Sequence, residues 1–347
     1  MTFCYNIDKA PYLNYTVVTK DGHILRTLDL NLPKAIMMHD FSITKNFTIF
    51  MDLPLQFTPE NMAKKMNGGA FAFNSTAPAR FGILPRHAIK AEEMIWFDVG
   101  CCSVFHVVNS YETLIFQSST GIMEKVVVVQ GCRFQKIDLF NMSVEGEAEK
   151  DYNELYEWRL NMETGQVDYE GPIVKSGKKK KNKNNNKEED DEEEEDENDN
   201  EVEDSTCSGD FPIINPTYLG REQQYCWLSR FSPENNAKFD GIIKIDCQNG
   251  LVMNTFVYGN NKRGGEIQFV LKENARKEDD GYLVGFVHDD VSGSSTFWII
   301  DALTMNSVPL CILEMPRRVP YGFHSLYVTE KELIDAEISF QSTSSKL

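Results

Sequence analysis

The feature that most constrains this chain is a series of short runs that alternate apolar with polar residues and are separated by turn residues. The first two runs lie within 15–27 and flank Asp21-Gly22, a dipeptide typical of the tight turn of a β-hairpin. Further runs follow at near-regular spacing, and two pairs are expected to form similar units: 41–44 with 47–51, and 96–97 with 103–108. We therefore predict an all-β chain folded as an antiparallel sandwich, barrel or propeller.

One segment interrupts this pattern. Between Ser176 and Asp204 a lysine block, an asparagine run and an acidic block contain a single apolar side chain, Val202. Such a segment buries too little apolar surface to offset the entropy lost on ordering, so we expect residues 175–209 to form a disordered charged insert. An electrostatic docking tail for a basic partner is the alternative interpretation. The predicted domain is thereby divided into residues 1–174 and 210–334, followed by a tail, 335–347.

Composition and charge exclude several other classes of protein. Hydrophobic residues make up 41% of the chain and aromatic residues 11%, which excludes collagen-like, coiled-coil and wholly disordered chains. The formal charge is −18, and only −7 of it falls on residues 175–204, so nucleic acid is not an expected partner. No apolar run is long enough to span a membrane, and residues 1–20 lack the pattern of a secretory signal. We therefore expect a protein that lies at most on a membrane surface. Because the eight cysteines also form no CxxC pair, we expect reduced thiols and a cytoplasmic location.

Three of the six histidines stand out. His39, His106 and His324 each lie inside an apolar, aromatic strand or strand end. For any one of them the simpler interpretation is a core histidine that bonds to a backbone carbonyl. Three such residues on separate strands also form the pattern needed to bind one central metal, and neutral imidazoles suit Fe(II), Zn or Cu. The other three, at positions 23, 87 and 288, are expected on the surface or at turns.

Seven ordered segments resemble successive signatures of the carotenoid cleavage oxygenase family. They are Met37–Thr44, Ala79–Arg86, Trp96-Phe97 leading to Val104–His106, Asp210–Asn215, Gly265–Val270, Glu278–Asp289 and Arg318–His324. The order and approximate spacing agree from about residue 3 to residue 334, apart from the insert. The likeness is closest to plant-type members that cleave carotenoids at the 9,10(9',10') bonds.

The resemblance implies a seven-bladed β-propeller with a non-haem Fe(II) on its axis, bound by four histidines. His39, His106 and His324 match the second, third and fourth of these ligands. Glu266 and Asp210 match two carboxylates that accept hydrogen bonds from the ligand imidazoles, Asp210 standing where many relatives have Glu. The first histidine and a further glutamate fall upstream of residue 1, and His23 does not match them. We therefore expect a propeller that is incomplete at its N-terminus, with roughly the first third absent.

The resemblance also implies a reaction in which O2 cleaves a C=C double bond of a carotenoid or apocarotenoid into two carbonyl products. The alternatives are a stilbene-like substrate, or a catalytically impaired fragment that serves as an interaction module. Phe105, Tyr321 and Phe323 are candidates for the lining of an apolar substrate tunnel, although core packing is the simpler interpretation for each of them. A plastid location is not excluded, because an upstream segment would carry any transit peptide.

Carotenoids reside in membranes, so a protein that acts on them needs a surface that reaches the lipid. The segment Leu53–Phe73 combines Leu, Phe and Met side chains expected to be exposed with a lysine pair, and it is the candidate for peripheral membrane contact. Thr58-Pro59-Glu60 within it predicts the opening of a helix that continues over 61–66, because a threonine cap is followed by proline at the first helical position. A loop helix that caps a blade is the alternative interpretation.

Overall fold

The computed structural model of the chain describes residues 1–63, 69–118, 121–137, 153–175, 207–233, 238–321 and 323–336. Strands dominate these residues, and the prediction of an all-β chain is confirmed. The predicted insert lies outside the described residues apart from its ends, Lys175 and 207–209, and so does the tail beyond residue 336.

The first sheet is a three-stranded antiparallel meander of β1 (Thr2–Tyr5), β2 (Leu13–Val18) and β3 (Ile24–Leu30). The hairpin predicted around Asp21-Gly22 is confirmed, since β2 pairs with β3. Gly22 has a φ of 82°, in the left-handed region that disfavours a side chain. Its N–H donates to the carbonyl of Thr19 at 3.0 Å and closes the turn.

The second sheet is formed by two pairs of strands that are separated by an excursion of the chain. It begins with β4 (Ser42–Ile43) and β5 (Phe47–Asp52). The excursion contains β6 (Leu55–Phe57), helix α1 (Pro59–Ala63) and β7 (Phe71–Phe73), with β6 paired to β7. The chain returns with β8 (Ala79–Pro85) and β9 (Ile95–Val99), giving the strand order β4-β5-β8-β9. The helix begins at Pro59 as predicted, and residues 64–66 of the prediction lie outside the described residues.

The third sheet is a meander of β10 (Ser103–Gln117), β11 (Ile122–Phe134), β12 (Asn153–Asn161) and β13 (Val167–Pro172). The prediction that 96–97 and 103–108 form one hairpin-like unit is wrong. β9 pairs with β8, where the Arg80 guanidinium lies 4.1 Å from the centre of the Trp96 ring, whereas β10 starts the next sheet. The short connection is therefore a crossing between sheets.

The fourth sheet has nine strands, which form two four-stranded meanders joined by a short strand. The first meander contains β14 (Gly209–Ile213), β15 (Tyr225–Phe231), β16 (Phe239–Asp246) and β17 (Leu251–Val257). The linking strand is β18 (Lys262–Gly264), which pairs with β16 and β20. The second meander contains β19 (Gln268–Leu271), β20 (Gly281–Asp289), β21 (Ser295–Asp301) and β22 (Cys311–Glu314). Four-stranded antiparallel units of this kind are the blades of β-propellers.

Apolar side chains of neighbouring sheets pack together. Through this packing the first strands of the second, third and fourth sheets, which are β4, β10 and β14, lie near a common centre. The largest buried cluster joins the first three sheets, and within it Phe81 meets Trp158 edge-on with ring centroids 5.0 Å apart. β10 lies beside both β4 and β14. Residues on or next to these three strands can therefore converge on one point.

Helices are a minor part of the described chain. Besides α1, residues 330–336 are helical and begin with a capping box. In it the Glu332 N–H donates to the Thr329 hydroxyl at 3.2 Å, and the Thr329 N–H donates to the Glu332 carboxylate at 2.8 Å. None of the helices within the described part of the chain is long and apolar enough to span a membrane.

Candidate metal centre

The structure brings together the three histidines that the sequence singled out. His39 immediately precedes the β4 region, His106 lies in β10, and His324 lies in the segment that follows β22. One ring nitrogen from each lies within 4.8 Å of the others. The Nε2 atoms of His39 and His324 are 3.3 Å apart. Three imidazoles from distant parts of the chain thus face one point.

Backbone irregularities explain how two of the site segments reach this point. The pairing of β10 with β11 shifts register between Val104 and Val107 and again between Val107 and Asn109, so His106 lies in a bulged stretch. The pairing of β14 with β15 also shifts register, between Asp210 and Ile213. Bulges bend a strand and redirect its side chains, and they are common next to active sites.

His106 is held by Asp210. The Nδ1 atom of His106 lies 2.8 Å from Asp210 Oδ1, and the side chains are only 15% and 7% exposed. Since an ionised carboxylate only accepts, Nδ1 carries a proton, and in the neutral ring Nε2 then retains its lone pair. Burial lowers the pKa of His106, but the hydrogen bond and charge of Asp210 outweigh it, so the pKa is raised from its ordinary value.

His324 has a similar but looser partner in Glu266. The Nδ1 atom of His324 lies 3.5 Å from Glu266 Oε1, and the His324 side chain is 51% exposed. The other oxygen of Glu266 accepts the backbone N–H of Ser325. Glu266 therefore holds the segment of His324 through the backbone as well as through the ring.

His39 is the third member of the cluster. Its ring meets Phe105 edge-on with centroids 5.5 Å apart and lies 5.0 Å from the His106 ring. Partial burial, together with the neighbouring His106 and His324, lowers the pKa of His39 from its ordinary value. His39 is therefore neutral at pH 7, which is the form that binds a metal.

These residues fit a divalent transition metal. The Nε2 atom of His106 is buried and has no hydrogen-bond partner among the described residues, although buried polar atoms are almost always paired. The Nε2 atoms of His39 and His324 face each other at 3.3 Å. Two nitrogen lone pairs repel each other at this distance, so a cation or a proton must lie between them. An all-imidazole donor set suits Fe(II), Zn or Cu.

Two residues beside the cluster were not singled out as site residues from the sequence. Phe211 is buried, and its ring centroid lies 4.9 Å from that of His106 and 5.6 Å from that of His324. It has a φ of 51°, an unfavourable conformation for a bulky side chain and one that occurs at functional sites. Asp40 lines the same cavity of about 230 Å³ as the three histidines. The available signal for Asp40 was a carboxylate inside an otherwise apolar segment.

The candidates for a tunnel lining are placed differently from one another. Phe105 is partly buried between His39 and Phe134. Tyr321 lines an adjoining cavity of about 220 Å³ that also reaches Glu266 and His324, and its hydroxyl donates to Asp290 at 2.8 Å. Phe323 is 79% exposed and does not enclose the site in this chain.

Other histidines lie away from the cluster. His23 and His87 are exposed, as expected. The expectation of a surface or turn position for His288 is wrong, because it lies within β20, half-buried beside the Tyr321 ring and bonded to Ser295 Oγ at 3.3 Å. The turn that the sequence indicated begins after Asp289.

The segment Leu53–Phe73 departs from its expected exposure. Leu53 and Leu55 are 4% and 2% exposed, because Leu53 packs in the buried cluster that joins the first three sheets and Leu55, in β6, packs with Phe134. Their predicted contribution to a membrane-facing surface is therefore wrong. Phe57, Phe71 and Phe73 are partly exposed.

Comparison with known proteins places the chain in a family. The model of the family described as retinal pigment epithelial membrane protein matches residues 1–329. Carotenoid 9,10(9',10')-cleavage dioxygenase 1 of Phaseolus vulgaris is 36% identical over 339 residues, covering 93% of this chain and 54% of that protein. The enzyme of the same name from Arabidopsis thaliana is 37% identical over 347 residues, covering 96% of this chain and 56% of that protein. The chain thus spans about half the length of the curated relatives it matches.

The fold agrees with that of solved structures. The crystal structure of Pseudomonas brassicacearum lignostilbene dioxygenase superposes with a TM-score of 0.69 at 20% identity, covering 90% of this chain and 59% of that one. This likeness confirms the predicted β-propeller type of fold. The family match over residues 1–329 and the identity of 36% to the bean enzyme show that the chain belongs to the retinal pigment epithelial membrane protein family, the carotenoid cleavage oxygenases.

Proposed function

We propose that His39, His106 and His324 bind Fe(II) and that the protein uses O2 to cleave a C=C double bond of a carotenoid or apocarotenoid. The observation that carries this proposal is the convergence of three imidazoles, one of which has a buried, unpaired Nε2 atom. The identity of 36–37% to two plant carotenoid 9,10(9',10')-cleavage dioxygenases supports a carotenoid rather than a stilbene-like substrate.

The residues of the chain contribute the orientation of the donor atoms. Asp210 and Glu266 face the Nδ1 atoms of His106 and His324, so that the Nε2 lone pairs of both rings point to the centre. His39 contributes a third neutral imidazole. When bound, Fe(II) supplies the binding and activation of O2 next to an electron-rich double bond. Each atom of O2 ends on one carbon of that bond, so two carbonyl groups form and no further reductant is required.

Aromatic side chains supply an apolar boundary to the site. The rings of Phe211 and Phe105 lie beside those of His106 and His39, respectively. Apolar walls exclude water and hold a hydrocarbon chain in one register, which places a single double bond at the reacting position. We propose these two residues as walls for the polyene.

The test is the iron content of the purified chain, with product analysis after addition of a soluble apocarotenoid and O2. We expect about one iron per chain and aldehyde products, both lost in His324→Ala and both retained in the control His23→Ala, which alters an exposed histidine outside the cluster. Iron without product would limit the proposal to metal binding. A folded chain without iron would contradict it and favour a non-catalytic interaction module.

We further propose that the protein meets its substrate at a membrane surface through the aromatic residues of the segment Leu53–Phe73. In support, Phe57 and Phe71 are partly exposed and their ring centroids lie 5.5 Å apart on paired strands. We expect Phe57→Asp to reduce binding to liposomes. Val291→Asp, at a 78% exposed position on the turn after β20, is the matched control. Equal binding by both variants and the unsubstituted chain would contradict the proposal.

We propose a reducing compartment such as the cytoplasm. All eight cysteines are free thiols, and the two sulfur atoms of the pair Cys226 and Cys247 are 3.4 Å apart. In an oxidising compartment, neighbouring cysteines of this kind are typically joined by a disulfide bond. Alkylation of the unfolded protein without reductant, read by mass, is expected to label all eight thiols.

A further inference from the structure

We infer that Asp40 is a positioning residue that fixes the segments of His39 and His106 relative to each other. The inference rests on the proposed metal site. Asp40 directly follows His39 in the chain and lines the cavity into which the three imidazoles face. Its role differs from those of Asp210 and Glu266, because its hydrogen bonds go to the backbone instead of to an imidazole.

The two oxygen atoms of Asp40 bridge two segments that are far apart in sequence. Oδ1 accepts the N–H of Phe41 at 2.7 Å, and Oδ2 accepts the N–H of Val107 at 2.9 Å. The first bond holds the carboxylate against the segment that carries His39. The second fastens it to the residue that directly follows His106. One side chain therefore sets the spacing between two donor segments.

The bulge in β10 explains why this bond is needed. Val107 lies between two register shifts in the pairing of β10 with β11, where regular bonding between the strands is interrupted. A buried backbone N–H without an acceptor costs free energy comparable to a lost hydrogen bond. Asp40 provides that acceptor from the opposite segment. The bulge that turns His106 inward is thus stabilised by the residue next to His39.

The test compares Asp40→Asn with the unsubstituted chain in Co(II) titrations of the full chain, read by visible absorption. Asparagine has an NH2 group in place of one of the two carboxylate oxygens, and this group cannot accept the N–H that the oxygen binds in Asp40. We expect Co(II) affinity to fall about 10- to 100-fold, the usual range for residues that orient metal ligands. Melting curves of the metal-free proteins establish that the variant is folded.

Glu112→Gln is the matched control. Glu112 lies on the same strand as His106, and it also accepts a backbone N–H from another segment, that of Asn46 at 2.8 Å. It does not line the cavity of the histidines. We expect its Co(II) affinity to match that of the unsubstituted chain. Equal affinity of the two variants would overturn the inference.

Hydrogen exchange at the Val107 amide gives a readout that does not depend on metal. In the metal-free protein we expect this amide to exchange faster in Asp40→Asn than in the unsubstituted chain, and to be unchanged in Glu112→Gln. Equal exchange would overturn the inference even if metal binding changed.

The two proposals fail in different ways. An unsubstituted chain that binds no Co(II) would overturn the proposed function and this inference with it. If the unsubstituted chain binds Co(II) but Asp40→Asn binds it equally well, only this inference is overturned and the proposed function stands. If Asp40→Asn does not fold, Asp40→Glu is the second variant, because it keeps both acceptor oxygens on a side chain that is longer by one methylene group. A cobalt spectrum shifted from that of the unsubstituted chain is then expected, and an identical spectrum would overturn the inference.

Discussion

The pairs His106–Asp210 and His324–Glu266 have the same chemistry but differ in how firmly the protein holds them. In the first pair the side chains are 15% and 7% exposed and the contact is 2.8 Å. In the second they are 51% and 16% exposed and the contact is 3.5 Å. A charge-assisted hydrogen bond strengthens when water is excluded. The imidazole of His106 is therefore oriented before any metal binds, whereas that of His324 is only loosely held.

The difference follows from where each residue lies. His106 is part of β10, a long strand paired throughout most of its length with β11. His324 lies in a segment without regular structure, which the Ser325 N–H connects to Glu266. A histidine in a sheet is oriented by its neighbours, and one in an irregular segment depends on a few contacts.

The largest expected effect comes from removing a ligand. His106→Ala is expected to lower Co(II) affinity by about 100-fold or more, since each ligand of a tightly bound metal contributes several kcal/mol. His324→Ala is expected to cause a smaller loss, because binding must first order its segment. Isothermal titration of both variants measures the difference. Equal losses would show that the metal itself orders His324 at little cost.

The next effect concerns the carboxylates. Asp210→Asn is expected to weaken Co(II) binding by about 10- to 100-fold, because the amide can present its N–H to the ring and favour the wrong tautomer. Glu266→Gln is expected to cost less than about 10-fold, given the longer contact and greater exposure of its partner. A larger loss for Glu266→Gln would reverse the ranking of the two pairs.

A smaller effect is expected at Phe211, next to the firmly held pair His106–Asp210. Two variants of this residue separate the contribution of its backbone conformation to stability from the contribution of its ring. Phe211→Ala and Phe211→Gly both remove the ring beside His106, so their difference reports on the φ of 51°. Because a side chain disfavours the left-handed region, we expect the glycine variant to be more stable by about 1 kcal/mol. Chemical denaturation of the metal-free proteins measures this difference, and a more stable alanine variant would refute the argument.

The smallest effect belongs to Phe323, beside the loosely held pair. Its side chain is 79% exposed, so Phe323→Ala is expected to change the free energy of unfolding by less than about 0.5 kcal/mol. Phe105→Ala, which removes a ring packed on His39 and Phe134, is expected to cost about 2 kcal/mol. Similar values for the two would mean that Phe323 is more enclosed in solution than its 79% exposed side chain indicates.

Much of the architecture could be predicted because it depends on local patterns. Asp21-Gly22 indicated a hairpin, and Thr58-Pro59 indicated the start of a helix, since both depend on the backbone preferences of a few residues. The three histidines could be selected because an imidazole in an apolar strand is unusual. Their convergence came from the family resemblance, as no local pattern encodes a distance between positions 39 and 324.

What could not be predicted depends on which strands pair and which faces are buried. β9 and β10 are neighbours in sequence but belong to different sheets. Leu53 and Leu55 are buried by packing against residues of distant strands, which their own sequence does not reveal. Asp40 was missed for the same reason, because its partner Val107 is 67 residues away.

The separation of 285 positions from His39 to His324 also has a consequence for biosynthesis. The ribosome releases His39 and His106 long before His324 has been made, so the earlier part of the chain must stay soluble while its metal-binding group is incomplete. Pairings between distant residues form late, because the intervening loop must first be closed. Uptake of a metal by nascent chains stalled at successive lengths would therefore begin only once residue 324 has left the ribosome.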